Sequence, residues 1–350
     1  MAAYTAIDDP EVYFQVKLYT GDGSTPSITL DGDTDMQPDL VWIKNRDAAD
    51  SHCLFDAVRT ATEVLHPDAT TAETTDADTL TSFDSDGFAL GADVKVNTNT
   101  EKYVAWCWKA NGSGSANTDG SISSTVSANT TSGFSIVKFT TDSASGNATI
   151  GHGLGVVPKI IIRKELLTSG WDVFHESVTS GGVGRMTLHD TGALDTVNDP
   201  FGEVAPASSV FTYNQAWTGA IGYDSIAYCF AEKQGFSKFG SYIGNGNEDG
   251  PFVYTGFRPA YVMEKRANDT GIWNIQDNKR STYNVTAANL LAESNAAEYT
   301  GTGNRIDILS NGFKCRKNDT DNNGDGDTII YMAFAEAPFV NSNGVPCNAR

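Results

Sequence analysis

IAYCFAE, residues 226–232, reads as a buried strand, and the chain writes it three times. YVAWCWKA (103–110) precedes it and IIYMAFAEA (329–337) follows it, each about a hundred residues from the next. Aligned, the copies are Val104-Ala105-Trp106-Cys107-Trp108, Ile226-Ala227-Tyr228-Cys229-Phe230 and Ile330-Tyr331-Met332-Ala333-Phe334. Strand side chains alternate between faces. One face of each copy is bulky (Val/Trp/Trp, Ile/Tyr/Phe, Ile/Met/Phe) and the other is mostly Ala and Cys, the pattern of a strand covered on both sides. A second phrase recurs at similar distance: QPDLVWIKNR (37–46), VPKIIIRKEL (157–166) and RPAYVMEKRA (258–267) each place a Pro before a β-rich run, where it is tolerated at the first residue of a strand, and end in basic residues.

Between these lie aromatic strands (HCLFDAV 52–58, WDVFHESV 171–178, WNIQDNKR 273–280), and Gly-rich turns precede each Pro-led strand. Abundant Thr, Ser, Gly, Asn and Asp favour short strands and turns over helices. The expectation is an all-β chain of three tandem β-sandwich, jelly-roll-like units of about 100 residues, each closing its own core; a pseudo-three-fold array is an equally open arrangement. The boundaries are 1–110 with a short N-terminal arm, 134–235 and 236–340. Residues 111–133, NGSGSANTDGSISSTVSANTTSG, have almost no apolar side chains and read as a flexible linker, and 341–350 as a loosely held tail.

The net charge of −20, from 24 basic and 44 acidic residues, disfavours nucleic acid as a partner. No run is apolar enough to suggest membrane insertion, and the N-terminus has no signal-peptide pattern. Five cysteines without metal-ligand spacing read as reduced core residues, which fits synthesis in a reducing cytoplasm.

Few stretches suggest chemistry. DTDNNGDGD (319–327) resembles the start of a calcium loop, with Asp319, Asp321, Asn323 and Asp325 as candidate ligands, but Ile330 stands where the bidentate Glu belongs; a polar hairpin tip is the competing reading. GHGLGVVP (151–158) around His152 reads as a turn, since a β-rich run follows it instead of a helix. The remaining histidines are scattered, carboxylate pairs such as Asp8/Asp9 and Glu248/Asp249 read as solvated turns, and no nucleophile elbow is present. Tyr213, Trp217 and Tyr223 are candidates for an exposed binding face. No catalytic or cofactor-binding residue is assigned.

PDLVWIKNR, FDSDGFALG, YVAWCWKANGSGSANTDGSISSTVSANTTSGFSIVKF, IGHGLGVVPKIII, YCFAEKQGFSKFGSYIGNGNEDGPFVYTGFRPAYVMEKR and YMAFAEAPF together resemble a family of repeat proteins encoded by tailed bacteriophages, many infecting marine bacteria and cyanobacteria. The likeness runs from about residue 3 to 340. It implies a non-enzymatic virion structural protein of the tail-fibre or appendage kind, located in the virion among other virion proteins. Self-association as a homotrimer and contact with a host surface glycan or receptor complete that expectation. The alternative is a capsid decoration (cement or head-fibre) protein. A polysaccharide-degrading tailspike fits less well, because its β-helix would repeat in rungs of about 20–30 residues.

Overall fold

A computed structural model describes residues 4–301 and 305–347. It is all-β, and the strand order recurs three times. In the first large sheet the order is Phe14–Thr20, Lys102–Trp108, Leu40–Asn45, Cys53–Asp56 and Thr60–Leu65, with the short Thr74–Thr75 beyond. In the second it is Phe134–Thr140, Asp224–Phe230, Ile160–Glu165, Trp171–His175 and Met186–Thr187. The third runs Ser237–Ile243, Thr328–Pro338, Phe257–Arg266, Trp273–Asp277 and Leu290–Leu291. Neighbours are antiparallel throughout. The Ala/Cys strand therefore lies between the first strand of its repeat and the Pro-led strand each time.

Each large sheet lays its small-residue face on a small sheet. Ala105 and Cys107 share a core with Ile28, Leu80 and Phe88; Ala227 and Cys229 with Ile150, Phe211 and Tyr213; Ala333 with Val253, Ile308 and Phe313. The bulky faces do not close three further interiors. Val104, Trp106, Trp108, Ile226, Tyr228, Phe230, Ile330, Met332 and Phe334 all belong to one buried cluster, which corrects the expectation of three separately closed units in tandem. At its centre the equivalent residues Trp108, Phe230 and Phe334 form a triangle, with ring centroids 6.4, 5.7 and 5.9 Å apart. Edge-on contacts between large rings at these distances add to the apolar area they bury. A face of Trp, Tyr, Phe and Met is too large for a two- or three-stranded cover, so the three sheets cover one another.

The sheets are tied in cyclic order. The ring N–H at the head of each aromatic strand donates to a carbonyl of the preceding sheet: Trp171 Nε1 to His66 O at 2.9 Å, Trp273 Nε1 to Thr187 O at 2.7 Å, and, closing the circle, His52 Nε2 to Leu291 O at 3.0 Å. Trp42 Nε1 donates to His52 Nδ1 and so fixes that tautomer. The basic residues that end the Pro-led strands recur as Lys44, Lys164 and Lys265, all buried. Each ammonium donates to two backbone carbonyls: Lys164 to Leu167 O (2.7 Å) and Ser169 O (2.9 Å), Lys44 to Asn45 O and Ala48 O, and Lys265 to Gly271 O and, in the second repeat, Thr191 O. Burial pushes all three down to about 8.

Residues 111–133 are not a flexible linker. Ser115–Asn117 and Ser124–Asn129 extend the second sheet, the latter pairing from Asn129↔Phe134 to Ser124↔Phe139. Ile122 and Val126 are buried, and the Ser124 hydroxyl donates to Gly151 O at 3.0 Å. Alternation of Ile122, Ser124, Val126 and Ala128 carried that signal beneath the polar composition. At the chain's start, Tyr4–Val12 cross to the third sheet: the Tyr4 hydroxyl donates to Gly256 O at 3.0 Å, and Asp8 accepts the Ser342 N–H at 2.6 Å. The tail is held there as far as Cys347, and residues 348–350 lie outside the described residues. The accessible surface is 12464 Å², against roughly 13,700 Å² for a compact monomer of this size. Beads joined by a flexible linker would expose more.

Candidate binding surfaces

The calcium-like stretch builds a turn clamp. Asp319 caps the single helical turn Thr320–Asn323 by accepting the Asp321 N–H at 3.0 Å, and Asp321 accepts the Ile272 N–H at 3.3 Å. Asn323 is buried; its amide oxygen accepts the Asn245 N–H (2.9 Å) and its nitrogen donates to Asn247 O (2.7 Å) and Lys317 O (2.8 Å). Asp325 is exposed. The same device stands in the first repeat, where Asp93 caps Val94–Asn97 and Asn97 grips Asp22 N and Ser24 O, each at 2.9 Å. In the second, Asn214 caps Gln215–Trp217 and Gln215 accepts from Asp142 N and Ser143 N. Among the described residues no three His, Cys, Asp or Glu side chains converge as metal ligands, so Asp319, Asp321 and Asp325 do not form a ligand set. The motif's regularity comes from holding the Gly-rich turn before each Pro-led strand.

The aromatic candidates of the second repeat do not form one face. Tyr213 is buried, its hydroxyl donating to Glu165 at 3.1 Å and accepting from Arg163 at 2.8 Å. Trp217 is half-buried beneath the Arg185 guanidinium, 4.5 Å from its ring; only Tyr223 is exposed. His152 is buried as well, its Nδ1 accepting the Leu154 N–H, as a turn requires. Four of the five cysteines are buried and all five are free, their thiols pushed up by desolvation where they are enclosed.

Open clefts lie where the N-terminal arm crosses the third repeat, a place that sequence reading passed over, and another of about 250 Å³ lies between residues 281–284 and 308–309. Tyr4 divides two of them. One, about 310 Å³, is bordered by Glu232, Ser237, Lys238 and Tyr254, with Lys238 and Glu232 paired at 2.7 Å. The other, about 270 Å³, is bordered by Thr5, Ile7, Thr131, Lys233 and Gln234. The arm is anchored from within, because the Thr5 hydroxyl bonds its own backbone at Ile7 and Asp9 caps Pro10–Val12. The signal in the sequence was EKQGFSK (232–238), two lysines and an amide crowded into what reads only as a connection between repeats.

These features define a compact all-β protein with three related sheets around a shared aromatic core and open clefts beside its N-terminal arm. The chain belongs to the family described as a domain of unknown function, DUF7483, whose model matches residues 9–338. No curated protein and no solved structure matches it.

Proposed function

We propose that this chain is a non-enzymatic structural protein of a tailed-bacteriophage virion, carried as a compact knob in a tail fibre or appendage and touching other virion proteins and the host surface. The observation that supports this best is the single shared core. Three sheets interlock through Trp108, Phe230 and Phe334, and the arm and tail meet beside them, a build suited to mechanical rigidity. The resemblance of the sequence phrases to those of phage repeat proteins, taken with this build, suggests the setting. A second reading, capsid decoration, draws support from the compact surface area and from the lack of any shaft-like extension among the described residues. Cryo-electron microscopy of the particle tests both: density for this body at the tail in low copy number supports the first, and a regular array on the head supports the second. Absence of such density from the whole particle overturns both. A homotrimer belongs to the first reading, and sedimentation at the mass of one chain would remove it.

A further inference from the structure

The 270 Å³ cleft beside Tyr4 holds a charge imbalance unusual for this chain. Most exposed lysines have an acid in reach, as Lys17 has Asp31, Lys317 has Glu248 and Lys238 has Glu232. Lys233 has no ion pair and no side-chain hydrogen bond among the described residues, although acids outnumber bases 44 to 24. Its side chain is partly enclosed, and burial alone holds its ammonium below the usual lysine range. Gly133, at φ +76°, makes room for its stem: a Cβ there would lie 3.0 Å from Lys233 Cε and 2.3 Å from Ala231 O. The Gln234 amide and the Thr131 hydroxyl border the same cleft without partners among the described residues, and the Tyr4 ring walls it with its hydroxyl tied away to Gly256 O.

We propose that this cleft binds one acidic sugar unit, its carboxylate on Lys233, its hydroxyls on Gln234 and Thr131, and its ring against Tyr4. A charge-assisted bond to an ammonium that lacks a protein partner is the strongest available contact. Neutral donors and acceptors beside an aromatic wall match a polyhydroxylated ring. The volume, below the ~300–1,000 Å³ of drug-sized pockets, suits one ring and not a long oligosaccharide. The inference rests on the host-contact part of the proposed function for its biological sense. Position on the particle and binding in solution are measured separately, so either can fail alone.

Titration of the full chain with sodium glucuronate, followed by NMR or calorimetry, is the test. Methyl glucoside and sodium acetate serve as the neutral ring and the bare carboxylate. Glucuronate should bind about tenfold more tightly than either, and Lys233→Gln should remove about tenfold of that affinity with an unchanged melting temperature. Gln234→Ala should weaken binding by about threefold, and Lys102→Gln, an exposed lysine of the first sheet, should leave it alone. Glucuronate binding no better than acetate, or a full-strength Lys233→Gln complex, overturns the proposal.

Discussion

Two of the three sheet-to-sheet contacts are built around a buried ion pair and the third is not. In the contact between the second and first sheets, the Tyr228 hydroxyl donates to Asp56 at 2.7 Å, and Asp56 holds the fully buried Arg59 at 2.5 Å. Between the first and third sheets, Trp106 Nε1 donates to Asp277 at 3.1 Å, and Asp277 holds Arg280 at 2.6 Å. Between the third and second, the register places Met332, His175 and Val178 at the matching positions. Met332 has no hydrogen to donate, no acid faces it, and no arginine is needed to neutralise that acid. His175 instead accepts the Ser177 N–H at Nδ1 and gives Nε2–H to Tyr331 O at 3.3 Å. All three residues change together, so the unit that repeats is the satisfied set of partners and not any one side chain. At these three contacts the acid and its arginine are present together or absent together, as the cost of an unpaired buried charge requires.

That contrast breaks most severely at Asp277. Asp277→Ala would strand the Arg280 guanidinium and the Trp106 N–H inside the protein, leaving Glu298 as the remaining acid on Arg280. Loss of one partner of a buried pair costs about 3–5 kcal/mol, and chemical denaturation should show it as one transition at lower midpoint, because the damage lies in the core that all three sheets share. Two separate transitions would mean that the sheets fold as independent bodies.

The converse change sharpens the same point. His175→Asp puts a carboxylate opposite Met332 with no cation at 178 and should cost roughly 2–4 kcal/mol at neutral pH. Adding Val178→Arg should recover about 1 kcal/mol or more of that loss, as a double-mutant cycle reads directly. Additive behaviour would show that the site cannot accept the set found in the other two contacts.

A smaller effect separates the outer cores. In the second repeat, Arg163 and Asp172 pair at 2.6 Å beneath the small sheet; the matching positions in the third are Glu264 and Asn274, with no cation. Burial raises Glu264 to about 7 although the Tyr242 hydroxyl donates to it at 2.7 Å. A carboxyl raised in the folded state keeps its proton while the unfolded chain loses it. Stability should therefore fall as pH rises from about 4.5 to 7 and level off above. Glu293, raised likewise to about 7, contributes in the same window. Glu264→Gln should flatten the decline by about 3 kcal/mol; an unchanged pH profile would place the ionised carboxylate comfortably in that core.

How far this was legible depends on the range of the interaction. The recurring strands and the two-faced Ala/Cys strand follow from alternation within a few residues, so Cys107 and Cys229 are found inside small outer cores. That Trp108, Phe230 and Phe334 meet is a property of three segments over a hundred residues apart, and alternation says only that each is buried, not by what. The strand Ser124–Asn129 was obscured by composition, because its buried serines are satisfied by Gly151 O and Asn111 N, partners that local sequence does not name. The arm clefts were hidden for the same reason: Tyr4, Thr131 and Lys233 become neighbours only when the chain's beginning returns to the third sheet.

The turn clamp gives the smallest effect and separates a structural motif from a metal motif. Asp319 accepts a single backbone N–H at the start of a one-turn helix, so Asp319→Ala should cost about 1 kcal/mol, the usual loss for a helix cap. Asn323→Ala should cost more, since two backbone groups of the Gly-rich turn and the Lys317 carbonyl lose their partner at a buried position. Added calcium should leave the melting temperature of the parent and of both variants in place. A metal loop would behave in the opposite order: Asp319, as a charged ligand, would dominate, and saturating calcium would raise the parent's melting temperature by mass action. The ranking of the two variants, measured with and without chelator, thus decides whether the aspartates or the buried asparagine carries the motif.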